Sequence, residues 1–283
     1  MPQLSSIQWK LKQIWLKTRC RLSSGQAIAY QLNPDLRFVA HLGDVSSHNI
    51  YIQGSYEEQE LNWCANWLRD EDDFVDCGAN IGYYSACLSQ LKKLGQVLAI
   101  EGNDTCYERC EKTFRMLSIS NIDLIKGILH SDEGVSLNIP DLPGEEGLQH
   151  AVEGSGADGS LSITLDQLIE QKNCKPSLIK IDCEGAEMEI LTGAKRTLAE
   201  RKPAWLIEVN DNALVRSGTK REELFPMLND AGYKLFHIAS TYADIPLGQE
   251  VDVGLQSWSF NMAVIPDDSQ NLDRWDESIK HLT

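Results

Sequence analysis

Six acidic or polar positions sit where five short apolar runs stop, and each is placed to do chemistry. The run FVDC ends at Asp76, two residues before Gly78, and Gly82 follows to give G-x-x-x-G. Such glycines permit a tight turn and let backbone N–H groups approach a ligand with no Cβ in the way. A dinucleotide site wants G-x-G-x-x-G, so that a pyrophosphate rests on a helix N-terminus. Here the second glycine pair is missing, and a carboxylate beside the turn would repel a diphosphate. The same carboxylate would attract an ammonium or a sulfonium, which favours S-adenosylmethionine over a dinucleotide. The run QVLAI ends at Glu101, 19 positions past Gly82. A carboxylate there can accept both hydroxyls of a ribose, which is equally true of NAD sites.

Later runs end on further acids: SLIKID at Asp182, AWLIEVN at Glu208 and Asn210, and YKLFHI near His237. Transferring a methyl group to an alcohol requires the nucleophile to be aligned and its proton accepted. Asp182 is the first choice for general base or acceptor-orienting residue, with Glu208 and His237 as further candidates. Glu184 has a loop-holding or a catalytic role, whereas Glu187 and Glu189 read as solvated or dipole-favoured. Lys180 reads as the ion-pair partner of a neighbouring acid. Asp182, Glu208 and Asn210 form an oxygen-rich set that would suit Mg²⁺, but no metal is assigned.

The elements that position these residues alternate strand and helix through the centre of the chain. FVDC, QVLAI, NIDLIKGIL, SLIKID, AWLIEVN, YKLFHI and NMAVIP read as seven strands. Ile81, Tyr84, Leu88 and Leu91 recur at helical spacing, with Gly95 closing the helix, and Tyr107, Cys110, Phe114 and Leu117 mark a second helix capped by Asp104. Gly185 to Arg201 reads as a helix, and Thr219 with Glu222 as a capping box. The expected fold is α/β, a doubly wound, mostly parallel seven-stranded sheet whose last strand is antiparallel.

Residues 1–70 read as an extension, in which NIYIQG is strand-like and residues 8–21 form a basic amphipathic helix. That helix either packs on the body or lies on an anionic membrane surface. Residues 71–266 read as the core domain. The loop over 140–160 is glycine-rich and acidic, and residues 267–283 read as a polar surface tail.

The 283 residues carry a formal net charge of −16, which disfavours a nucleic-acid partner. The eight cysteines read as reduced thiols of a cytoplasmic protein, since no export signal is evident and no zinc set is complete.

FVDCGANIGYYS, LAIEGN, SITLDQLI and LIKIDCEGAEMEILTGA together resemble the FkbM family of S-adenosylmethionine-dependent methyltransferases, over roughly residues 50–265. The resemblance implies a class I (Rossmann-like) methyltransferase fold that moves a methyl group to a hydroxyl of a sugar or natural-product acceptor. It implies that Asp76, Gly78, Ala79, Asn80 and Gly82 surround the methionine part, with Tyr84 and Ser85 on the same edge. Glu101 would bind the ribose, Gly102 and Asn103 would flank the adenine, and Ile128 to Ser131 would contact it. Asp182 would lie against the activated methyl. Two rival readings stand beside this one: an NAD-linked oxidoreductase on a similar sheet, and a non-catalytic membrane-surface protein.

Overall fold

The computed structural model describes residues 6–23, 26–139, 151–153, 160–239, 245–280 and 282. Its first elements are α1 (Ser6–Leu22), the antiparallel pair β1 (Ala27–Gln31) and β2 (Arg37–His41), α2 (Val45–Gln53) and α3 (Glu58–Trp67). Alternation follows with β3 (Asp73–Cys77), α4 (Tyr83–Leu91), β4 (Val97–Glu101), α5 (Asp104–Leu117) and β5 (Ile122–Lys126). Short strands β6 (Ser136–Asn138), β7 (Val152–Glu153) and β8 (Ser160–Leu161) make a small separate sheet. Then come α6 (Leu165–Gln171), β9 (Pro176–Ile181), α7 (Glu187–Thr192), a π-helical turn (Thr197–Arg201), β10 (Ala204–Asn210) and α8 (Asp211–Arg216). The last elements are α9 (Arg221–Asp230), β11 (Tyr233–Ala239), β12 (Ser259–Pro266) and α10 (Ser269–Ile279).

Seven strands form the central sheet in the order β11-β12-β10-β9-β3-β4-β5. The pairs β10–β9, β9–β3, β3–β4 and β4–β5 are parallel, while β12 is antiparallel to both β10 and β11. The expected seven-stranded, mostly parallel architecture is therefore the observed one. The order in which strands are added switches sides between β3 and β9, which opens a crevice at the carboxyl ends of these two parallel strands.

Alternate residues of each central strand enter opposite apolar layers. Phe74, Val97 and Ala99 face the layer built by Trp63, Trp67, Leu88 and Trp275. Val75, Cys77, Leu98 and Ile100 face the layer of Leu165, Leu168, Leu191, Leu224 and Phe225. Burial on both faces is why these runs are continuously apolar rather than alternating. Each such large side chain contributes about 1.5–3 kcal/mol on leaving water, which fixes the strand ends on which the polar residues stand.

Several local expectations are corrected. NIYIQG is helical, because Asp44 caps α2 by accepting from Ser47 N at 2.6 Å and Gly54 ends it in the left-handed region. Asn103 rather than Asp104 caps α5, accepting from Cys106 N. Gly95 lies beyond the end of α4, where a Cβ would meet Asp73 Oδ1 at 2.6 Å. Thr219 does not cap α9: its hydroxyl donates to Leu214 O, and the cap position is Lys220. The helix expected over Gly185 to Arg201 stops at Thr192 and resumes only as the π-helical turn. The stretch expected as a surface tail contains α10, whose Trp275 is 2% exposed and packs on Trp63 and Phe236. Most of the glycine-rich loop over 140–160 lies outside the described residues.

Candidate active site

The turn after β3 is closed by its own backbone. Gly78 N and Ala79 N both donate to Ile100 O, Gly82 N donates to Ala79 O, and Asn80 N donates to Glu101 Oε2 at 2.7 Å. These N–H groups are therefore engaged, contrary to the expectation that the glycines free them for a ligand. The glycines have other reasons. Gly78 has φ +77°, and a Cβ there would lie 2.0 Å from Asp182 O, where the loop after β9 crosses it. Gly82 has φ +78°, and its Cβ would strike the Phe114 ring at 2.6 Å, so its role is to seat α4 on α5. Cys106 and Cys110, one helical turn apart, hold the same turn by donating to Asn80 Oδ1 and Asn80 O.

Glu101 ends β4 with both carboxylate oxygens accepting backbone donors, Asn80 N and Asn103 N at 2.7 and 2.8 Å. Burial nevertheless pushes its carboxyl up to about 7 against those donors. Asn103 is buried, and its Nδ2 has no hydrogen-bond partner among the described residues. Asp76 is 1% exposed; its Oδ2 accepts from Ser85 N and Ser85 Oγ, while Oδ1 has no hydrogen bond and lies 3.9 Å from Lys180 Nζ. Burial raises the Asp76 carboxyl, with Lys180 and Ser85 opposing.

Lys180 is the charge around which the second half is organised. It is buried, donates to Asp182 Oδ2 at 2.9 Å and lies 5.0 Å from the Tyr84 ring centroid. Burial disfavours its charge, but Asp182, Asp76 and Glu57 outweigh that and raise its pKa. Asp182 is held below the usual carboxylate range: burial opposes this, and Lys180 and a hydrogen bond from Glu208 overcome it. Glu208 is pushed far up, by burial first and by the Asp182 charge second. Burial and mutual repulsion therefore oppose ionising both carboxyls of the pair at once. Glu184, at φ +53°, stands beside them with Arg216 at 3.9 Å, and burial lifts it to about 7. One oxygen from each of Asp182, Glu184 and Glu208 lies within 4.8 Å of the others. Asn210 does not join them, because its Oδ1 caps α8. Glu187 is not solvated as expected: it is 2% exposed and accepts from Cys183 N and Gly185 N, holding the loop in shape.

These elements enclose a cavity of about 350 Å³ at the carboxyl ends of the strands. Of the residues predicted from sequence, Gly78, Asn80, Glu101, Gly102, Asn103, Ile128, Asp182 and Glu208 line it. Asp76, Ala79, Gly82, Tyr84 and Ser85 stand behind that wall. Ser131 bonds His130 and Asp132 instead. His237 is not brought to the cavity; it lies on β11, buried, with Nδ1 3.3 Å from Pro246 O. Sequence reasoning did not single out Asp44, Val45, Ser46 and Tyr56, which complete the wall from the N-terminal elements. It also passed over Glu57, whose Oε2 accepts from Tyr84 Oη at 2.7 Å. No short motif marks these residues, because folding brings them in from a distance. Among the described residues, no Lys, Arg or His lines the cavity.

Similar proteins are recognisable at this point. Hexuronic acid methyltransferase AglP of Haloferax volcanii is 31% identical over 131 residues, 46% of this chain and 53% of that protein. The chain thus spans about half the length of the curated relative it matches. Among solved structures, a methyltransferase FkbM from Methylobacillus flagellatus aligns at TM-score 0.47 with 17% identity, covering 90% of this chain and 58% of that one. A precorrin-6y C5,15-methyltransferase from Geobacter metallireducens aligns at TM-score 0.44 with 13% identity, covering 74% and 86%. The sequence pattern of the methyltransferase FkbM domain matches residues 76–235, more than half of the chain, and the chain belongs to that family.

Proposed function

We propose that the protein is an S-adenosylmethionine-dependent O-methyltransferase whose acceptor is a sugar hydroxyl. The observation that carries this reading is the electrostatics of the cavity. Its wall presents Asp44, Glu101, Asp182, Glu184 and Glu208 and, among the described residues, no cation. The N–H groups of Gly78, Ala79, Asn80 and Gly82 are already bonded. A diphosphate would find neither counter-charge nor free amides there, which counts against the dinucleotide reading. A cationic guest meets both requirements. The residues fit S-adenosylmethionine in particular: Glu101 can accept from ribose hydroxyls, the orphaned Asn103 Nδ2 can donate, and Ile128 and Leu129 give an apolar wall for a base.

When bound, S-adenosylmethionine supplies a methyl group on a positively charged sulfur, open to in-line displacement by oxygen. The chain's part is to place that oxygen. Asp182, ionised beside Lys180, accepts the acceptor's hydroxyl hydrogen bond and orients the lone pair. With Glu208 protonated, the pair carries one negative charge before transfer and becomes neutral when Asp182 takes up the hydroxyl proton as the methyl moves to oxygen. Tyr56 and Val45 line the cavity from the N-terminal elements and are themselves exposed to solvent, by 41% and 60%. The sugar is taken from the relative's name. The acidic wall adds that an uncharged or amine-bearing sugar is preferred here over a uronate. The carboxylate trio would also accept a divalent cation, so each assay is run with and without EDTA.

Calorimetric titration with S-adenosylmethionine and with NAD tests the cofactor, and tighter NAD binding would overturn it. Labelled-methyl transfer to matched glucosides, glucosaminides and glucuronides tests the acceptor. Products stable to mild base are ethers; loss of label under those conditions would instead mean an ester, and hence a carboxylate acceptor.

A further inference from the structure

α1 has two apolar faces: one is buried against the body of the protein, and of the other, among the described residues, only Trp15 meets it, stacked on Tyr51 at 5.8 Å between ring centroids. Leu16 and Cys20 are fully buried, packed with Ile28 and Ala40 of the β1–β2 pair. At 3.6 residues per turn, the opposite side of the helix is a stripe about 100° wide holding Leu11, Ile14, Trp15, Thr18 and Leu22. Four of these are large apolar residues, and all four are exposed, Ile14 by 64% and Leu22 by 82%. Scattered single exposures are ordinary, but four aligned on one face of a single helix are not.

The charges are ordered about the same stripe. Lys10, Lys17 and Arg21 flank it on one side, and Lys12 and Arg19 flank it on the other. Arg19 lies 4.7 Å from the Trp15 ring centroid, and Lys12 donates to Ile52 O. The helix SIQWKLKQIWLKTRCRL contains no Asp or Glu, in a chain of net charge −16. A band of cations on both shoulders of an apolar ridge matches a bilayer interface, with apolar side chains among acyl chains and cations at anionic headgroups. A protein partner needs no such two-sided symmetry. The helix is too charged to span, and no described helix is long and apolar enough to cross a membrane.

We propose that the outward face of α1, formed by Leu11, Ile14, Trp15 and Leu22 between its flanking Lys and Arg residues, docks the protein on an anionic lipid surface. The docked face of α1 stays on β1 and β2, so binding requires no unfolding. α2 packs on α1 and opens with Val45, which lines the cavity, so the contact holds the site at a fixed attitude to the bilayer.

The test is co-sedimentation of the full chain with vesicles of phosphatidylcholine alone and of phosphatidylcholine with phosphatidylglycerol. The expected result is binding to the anionic vesicles only, weakening as salt rises. Ile14→Gln with Leu22→Gln, and separately Lys10→Glu with Lys17→Glu and Arg21→Glu, should each cut the partition coefficient at least about tenfold. These side chains are exposed, so thermal melts should match the parent and separate lost docking from lost folding. Equal binding to both vesicle types, no binding to either, or unchanged binding by both variants overturns the proposal. So does a dimer in sedimentation velocity that Ile14→Gln abolishes, because the face would then belong to a second copy of the chain.

Discussion

The two halves of the cavity solve the same problem, a buried carboxylate, in opposite ways. On the β4 side, Glu101 is satisfied by backbone donors from its own turn and the neighbouring one, Asn103 N and Asn80 N. On the β9 side, Asp182 and Glu208 are satisfied by each other and by one buried lysine. Backbone donors are fixed once the chain has folded, so the first half is a rigid receptor. Two carboxyls this close titrate as a coupled pair, so the protonation of the second half depends on what enters. Under the proposed function, binding falls to the first arrangement and proton handling to the second.

The largest effect is expected from removing the charge that the second half depends on. Lys180→Met leaves buried Asp76 and partly exposed Asp182 without a counter-ion, and breaking a buried pair costs about 3–5 kcal/mol. Urea unfolding should show that loss, shrinking at low pH where the two acids take up protons; a variant within error of the parent would mean the lysine is incidental. Next is Asp182→Asn, which keeps shape and removes the ionised acceptor. Turnover should fall about 10²–10⁴-fold, while calorimetric affinity for S-adenosylmethionine stays within a few-fold. Glu101→Gln should do the reverse: affinity falls by a factor corresponding to about 1.5–3 kcal/mol, with turnover at saturation much less affected. If both variants damage binding and turnover alike, the division of labour between the halves is wrong.

The same contrast explains what was legible in the sequence. Glu101, Gly78 and Asp182 stand at the ends of apolar runs, and strand periodicity alone puts them at one edge of the sheet. The last two strand runs have no convincing helix between them, which predicts an antiparallel final strand, as observed. What short-range patterns could not supply were contacts between distant segments. Tyr56 and Glu57 reach the site only because α3 packs on α4, and Glu57 then meets Tyr84, 27 residues away. His237 failed for a related reason: β11 is the outermost strand on its side of the sheet, so a strand-end histidine there is far from the crevice. NIYIQG was misread because alternation in six residues is weaker evidence than the Asp44 cap and the left-handed Gly54 that bracket it.

A smaller effect should appear in how stability depends on pH. Glu57, Glu101, Glu184 and Glu187 all have carboxyls lifted from 4.5 to about 7, each by burial first. A raised folded-state value means that the folded protein binds more protons than the unfolded chain between those limits. That stability is fully present below pH 4.5 and is lost as pH rises through about 7. The unliganded protein should therefore melt at a higher temperature at pH 5 than at pH 8 in scanning calorimetry, and the opposite slope would contradict the burial that causes the shifts.

The smallest expected effect joins the two halves through one hydroxyl. Tyr84 Oη donates to Glu57 Oε2 at 2.7 Å, which favours the ionised form of Glu57 against its burial. Tyr84→Phe removes the donor and leaves the ring and its contact with Lys180 in place. Leaving a buried acceptor unmet costs about 1–3 kcal/mol, and the lower end applies here because Glu57 can escape by protonation. The deficit should then be about 1 kcal/mol at pH 8, where Glu57 would otherwise be ionised, and smaller at pH 5, where it is already neutral. A deficit independent of pH would mean that the hydroxyl only fills space, and that Glu57 is not electrically part of the Lys180 cluster.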